Sequence, residues 1–279
     1  MAVDTTMKTS GSPSGGGPAS SADTGRPPRR RRPGRVWVKI VVALLLVIEV
    51  YPLVWMFLTS LKSNSDYLNN STWSLPTTWE WGNYTEAWTT GNIGLYIQNS
   101  VLAVLPALAL ILLLGTAAGF ALQVMVWKGR SLTLLIFLAG MMVPPQMILL
   151  PLFTVYFQTG LSGTLWPLIL TYTGTGLPLT VFMMATYYKT LPRELFEAAT
   201  IDGAGILRAF WTISVPMVRN ALLTVGLVQF FFIWNDLLIA LTFTNNQDLR
   251  TIQVGPATGS PSWSSRTTPG SPRASSAPR

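Results

Sequence analysis

Five apolar runs, over about 36–61, 99–126, 132–157, 165–188 and 221–243, decide what this chain can fold into. Each is long enough for the roughly 20 helical residues that cross a bilayer core. No water reaches the backbone N–H and C=O groups there, so each run must satisfy them within its own helix. The expected fold is therefore all-α, a polytopic membrane protein with five transmembrane helices. Only 11% of the residues are charged, where a soluble domain carries roughly 25%. The chain has neither cysteine nor histidine. That removes disulfides, thiolate chemistry and the commonest general base and metal ligand. It also lacks a G-x-x-x-x-G-K-[ST] run, so it cannot hold ATP in a P-loop. No catalytic residue, metal or cofactor is expected.

The net charge of +8 invites a nucleic-acid reading, but the placement of the bases argues against it. Eight of the nineteen lie before residue 40, and most others flank apolar runs. Arg29–Arg32 and Arg35 read as a cytoplasmic anchor for the first span, following the positive-inside rule. Residues 1–35 are expected to form a disordered, basic, cytoplasmic tail. The loop at 62–98 has one base and is dense in aromatics (Trp73, Trp79, Trp81, Tyr84 and Trp88), which suits the outer interface. The turn at 127–130 is basic and cytoplasmic. In, out, in, out then alternates consistently, with a multi-pass chain in the cytoplasmic membrane. Residues 256–279 are Ser, Pro, Thr, Arg and Ala without an apolar run, a low-complexity tail that cannot form a span.

Several spans carry groups that lipid does not favour. Glu49 lies deep in the first, where a carboxylate should face protein or water. Pro144 and Pro145 interrupt the third, where freed carbonyls need other partners. The centre of the fourth is small and polar from Thr171 to Pro178. It fits either a broken helix lining a pathway or a smooth face for close packing. Trp234-Asn235-Asp236 sits in the outer half of the fifth. Gln146, Tyr172, Thr173, Asn235 and Asp236 are the candidate lining of a solute pathway.

The connection at 192–216 reads PRELFEAATIDGAGILRAFWTISVP and is too long for a simple turn. Pro192 suits a first helical turn. Glu194 and Glu197 follow where the helix dipole favours acids. Ala198 and Ala199 let another surface approach, and Gly203 provides a corner that a Cβ would resist. A second short helix follows at about 206–212, and Pro216 begins the return to the membrane. The product is a compact knob suited to a cleft on a partner.

This knob resembles the EAA loop of binding-protein-dependent ABC importer permeases, EAA-x3-G-x9-I-x-L-P. Glu197, Ala198, Ala199, Gly203, Ile213 and Pro216 match, and Val215 replaces the family's Leu. Tyr51-Pro52-Leu53, Ser60-Leu61-Lys62, Asn99-Ser100, Ile148–Leu152 and Trp234-Asn235-Asp236 are similar to the carbohydrate, maltose-permease-like branch. The resemblance covers about residues 36–255 and implies a transmembrane subunit that moves sugar or oligosaccharide by alternating access. It implies as partners a second permease in a heterodimer, a cytoplasmic ATPase dimer and an extracellular solute-binding protein, all around a body in contact with membrane lipid. Hydrolysis of ATP would belong to the ATPase subunit. Glu197 would make the polar contact to it and Gly203 would set the shape of the loop, with Ala198, Ala199, Asp202, Ile213 and Pro216 as the other residues of the coupling loop. The family has a sixth span, and its counterpart here is missing. The expectation is an out-of-frame reading from about Pro256, leaving a chain that transports or, alternatively, a truncated membrane protein that only docks the ATPase. A secondary transporter is the remaining alternative, with Glu49 and Asp236 as its candidate intramembrane charges.

Overall fold

The computed structural model describes residues 34–256. The expectations for the basic tail before Gly34 and for the low-complexity segment after Pro256 lie outside the described residues. Within them every regular element is helical. Three helices are long and apolar enough to cross a membrane, or up to five when each of two bent pairs counts as one span. The chain divides into two compact units, one ending at Thr78 and the other beginning at Trp79.

The first unit contains α1 (Gly34–Ser60) and α2 (Asn64–Asn69). At 1.5 Å per residue α1 is about 40 Å long. It tolerates Pro52 in its interior, and its apolar side chains from Trp37 to Phe57 are largely exposed. Glu49 is exposed on it too. The stretch after it folds into a polar knot. Lys62 is 6% exposed and reaches Ser74 Oγ at 3.2 Å and the Ser71 carbonyl at 3.4 Å. Ser63 caps α2 by accepting the Asp66 N–H at 3.1 Å. The Asp66 carboxylate accepts the Thr77 N–H at 2.9 Å and the Asn70 side-chain amide. Trp73 packs on Tyr51 and Trp55.

The second unit is built on α4 (Ile93–Gln123) and α7 (Trp166–Tyr188). α3 (Gly82–Thr89) precedes them. α4 and α7 run parallel, and they touch because facing positions are small. A Cβ added at Gly176 would lie 2.7 Å from Ile111, one at Gly115 would lie 2.4 Å from Thr180, and one at Gly119 would lie 2.8 Å from Met184. Small faces of this kind are how membrane helices approach closely. α7 is continuous through its Thr-Tyr-Thr-Gly-Thr-Gly centre, so that segment is not a broken helix. Thr173 and Thr175 bond back to their own helix, at the carbonyls of Ile169 and Thr171, while the Thr171 hydroxyl pairs with that of Tyr156 at 3.1 Å.

Between them α5 (Arg130–Met141) and α6 (Pro145–Gln158) meet at 94° where Pro144 and Pro145 end the first helix and start the second. The single span drawn from the sequence over 132–157 is therefore two helices. The segment drawn as 221–243 also differs. α11 (Arg219–Trp234) is sixteen residues long, stops at Asn235, and is followed by the short α12 (Leu238–Phe243). The Asp236 carboxylate lies at that break and accepts the N–H groups of Ile239 at 3.0 Å and Ala240 at 3.1 Å. It caps α12 as N-terminal acids do.

Two measurements check this packing. The Thr77 N–H, and after it the Asn70 amide, hold the Asp66 carboxyl below the usual carboxylate range. Its contribution is then complete above the unfolded value of about 3.9 and is lost as pH falls through the lower folded value. The protection factor of the Thr77 amide against hydrogen exchange should fall on acidification below about pH 4, and the Asp66→Asn variant should lose that pH dependence. Gly119→Ala should cost about 1–3 kcal/mol, because its Cβ would also meet the Ala185 backbone nitrogen at 3.0 Å. Thermal unfolding in detergent reads this directly.

Candidate functional site: the loop between α7 and α11

The 192–216 connection is a chain of short elements. α8 (Glu194–Ile201) comes first, then α9 (Ile206–Ala209), a π turn at Phe210–Ser214 and α10 (Val215–Met217). α8 ends through two reverse bonds. The Gly203 N–H reaches the Thr200 carbonyl at 3.0 Å and the Ala204 N–H reaches that of Ala199 at 2.9 Å. This is the Schellman arrangement, with Asp202 as the C-cap and Gly203 in the left-handed region at φ +77°. The spacing from Ala199 to Gly203 thus has a mechanical meaning. Ala199 is the residue whose carbonyl receives the cap, and the glycine stands at the one position that needs positive φ.

The two faces of α8 differ. Phe196 and Ala199 turn inward, while Glu194, Leu195, Glu197, Ala198 and Asp202 are exposed. Ile201 is 86% exposed, and Ile206, Leu207 and Trp211 are exposed beside it. Charge and apolar surface thus share one small projection. Glu194 and Glu197 sit in the first turn of α8, where the helix dipole favours them.

The projection is fastened to the helices behind it by aromatic rings. Phe120, in the last turn of α4, makes edge-to-face contacts with Tyr188 at 5.9 Å, Phe196 at 5.8 Å and Phe210 at 5.3 Å. It therefore joins α4, α7, α8 and the π turn at one point. Ser214 donates to the Tyr188 hydroxyl at 2.8 Å, and both groups are buried. The π turn has a local cause. Pro216 has no N–H for the Thr212 carbonyl and its ring would crowd it. One wider turn absorbs the mismatch, with the Val215 N–H reaching the Phe210 carbonyl. Ile213 is half-buried in this turn and Pro216 is exposed at its end.

The five candidate pathway residues do not form one group. Tyr172 and Asp236 meet, the hydroxyl donating to the carboxylate at 3.1 Å. Thr173 is buried and spends its hydroxyl on α7. Asn235 is exposed and donates to the Phe231 carbonyl at 2.9 Å. Gln146 is exposed in the first turn of α6, without a hydrogen bond to the other four among the described residues.

Reading the sequence missed Gln229. It is buried on α11 and donates to the Gly176 carbonyl at 2.9 Å and the Thr180 hydroxyl at 2.8 Å. An amide in the middle of an apolar run was the available signal. Phe120 gave none, since it is one apolar residue among many. The sequence pair Asn99-Ser100 also acquires a purpose. Asn99 donates to the carbonyls of Asp248 and Arg250, and Ser100 accepts the Ile252 N–H at 2.9 Å, which seats 248–252 over the start of α4.

Residues 111–270 match the model of the family described as binding-protein-dependent transport system inner membrane component. The diacetylchitobiose uptake system permease protein NgcG of Streptomyces coelicolor is 38% identical over 80% of this chain and 74% of its own length. The probable ABC transporter permease protein YurM of Bacillus subtilis is 33% identical over 82% and 76%. In fold the chain resembles a subunit of a bacterial ABC transporter involved in the import of the acidic polysaccharide alginate. The TM-score is 0.68 at 19% identity, over 81% of this chain and 79% of that one.

Backbone strain at the corner of the loop is directly measurable. A Cβ at Gly203 would meet nothing within 4 Å, so only its φ penalises substitution. Gly203→Val should cost about 1–2 kcal/mol, while Gly203→Asn should lose much less because Asn tolerates the left-handed region. Thermal unfolding of the two variants checks the ordering.

Proposed function

The chain belongs to the binding-protein-dependent transport system inner membrane components, and from that premise we propose that it is the carbohydrate-translocating permease subunit of an ATP-driven importer. The observation that carries this reading is the rigid, partly apolar projection of α8, with Ile201 open to solvent on an element locked at its end by Gly203. An apolar side chain so exposed beyond the membrane helices is suited to a groove on another protein. The similarity to a diacetylchitobiose permease supports a sugar or oligosaccharide as the solute.

In this proposal α8 docks in a cytoplasmic ATPase subunit, with Glu197 making the polar contact and Ala198 allowing close approach. ATP-driven closure of the ATPase pair moves α8. Phe120 passes the displacement to α4 and α7 through ring contacts already made at rest. A second permease completes the pathway and an external binding protein delivers the solute. The chain's own residues perform no bond-making step, and free energy is transferred as a shift between two packed states.

Co-expression with the candidate ATPase and second permease tests the reading. Ile201→Asp should weaken ATPase capture about tenfold or more, as loss of a central apolar anchor does. Phe120→Ala should leave capture intact while reducing labelled chito-oligosaccharide uptake into proteoliposomes. Uptake that persists without ATPase and ATP would overturn the proposal.

A further inference from the structure

Apart from the loop, one cleft combines charge with apolar surface. It has a volume of about 420 Å³ and lies where the ends of α4 and α7 meet the beginning of α5. Arg130, Lys189, Ser131 and Gln123 line its polar side, and Leu134 and Leu138, one turn apart on α5, lead away from them on the other. Neither cationic side chain has a hydrogen-bond or ion-pair partner among the described residues. One guanidinium nitrogen of Arg130 is closed off from solvent without a partner. A partly buried, unpaired guanidinium is expensive unless an anion completes it.

The position of the cleft selects the anion. Tyr188, Gln123 and Arg130 are the ends of apolar helices, and membrane helices end where acyl chains give way to headgroups. Trp127 stands in the same turn, its indole N–H bonded to the Ala121 carbonyl at 2.9 Å, as an interfacial tryptophan does. Cations at the mouth and leucines leading inward match a phosphate group with an attached acyl chain. We infer that this cleft is a binding site for one anionic phospholipid, with Arg130 and Lys189 holding the phosphate and Leu134 and Leu138 receiving the first part of a chain. The site shares no residue with the docking projection, so it stands or falls separately from the reading of α8.

Basic pockets between membrane helices hold anionic headgroups in this way. Occupation would fix α5 against the ends of α4 and α7, and so steady the platform from which the loop projects. Detergent-solubilised full-length chain, titrated with phosphatidylglycerol and read by native mass spectrometry, tests the inference. Phosphatidylglycerol should bind in preference to phosphatidylcholine. Arg130→Gln and Lys189→Gln should each weaken it about fivefold, and the pair of changes should weaken it further. Arg130→Lys should retain most of the affinity. Lys128→Gln serves as the control, because Lys128 belongs to the same basic turn but does not line the cleft. Lys189 is exposed, so its variant should fold even if Arg130→Gln does not, which thermal unfolding verifies. Equal binding of the two lipids, an equal loss with Lys128→Gln, or displacement of the lipid by inorganic phosphate alone would each overturn the proposal.

Discussion

The close approach of α4 and α7 is the contact on which the rest of the second unit depends. It exists because Gly115, Gly119 and Gly176 leave room for Thr180, Met184 and Ile111. Between helices in lipid, apolar side chains gain little from leaving water that is not there, so shape and hydrogen bonds must hold them together. Backbone-level contact supplies the shape. Gln229 supplies the hydrogen bonds, clamping α11 to the Gly176 carbonyl that the same close approach places within reach. One narrow interface therefore positions the third helix as well.

Three interruptions of helical pairing among the described residues are handled locally, as a medium without water favours. At Pro144 the chain turns and a new helix begins with Pro145, whose missing N–H costs nothing there. Before Pro216 a π turn shifts the bonding by one residue. At Asn235 the carboxylate of Asp236 takes over two N–H groups of the next helix and is braced in turn by Tyr172. Tyr172 and Asp236 thus meet at a helix break, and their contact braces it.

The apolar runs made the all-helical membrane fold legible, because length and hydrophobicity alone decide it. They did not reveal where a run would split, since α11 and α12 are equally apolar on either side of Asp236. The loop was legible through spacing, and its cause is now visible in the Schellman bonds of Ala199, Thr200, Gly203 and Ala204. Phe120 was illegible because nothing local marks it. It matters only through Tyr188, Phe196 and Phe210, which are far from it in sequence. Contacts of that kind have no signature in a single chain read in order. Thr171–Pro178 was ambiguous for a different reason. Small polar residues serve pathway and packing equally well, and only the position of the facing helix separates the two.

The proposed docking role asks the projection to be rigid, and its contacts make it so. A loop fixed by backbone bonds alone would yield at its corner when pushed. Here α8 is closed at one end by its cap and supported beneath by Phe196 on Phe120, while the π turn returns to the same ring through Phe210. Tyr188, at the end of α7, meets Phe120 from another side and takes the Ser214 hydroxyl. A push on α8 therefore has no soft element to deform before it reaches α4 and α7, and packed rings respond by moving as a body. The same ring cluster sits at the very ends of the two helices whose small-residue interface cannot slide apart without losing its fit. In the proposed coupling, displacement at the loop would therefore appear as tilt or rotation of the α4–α7 pair.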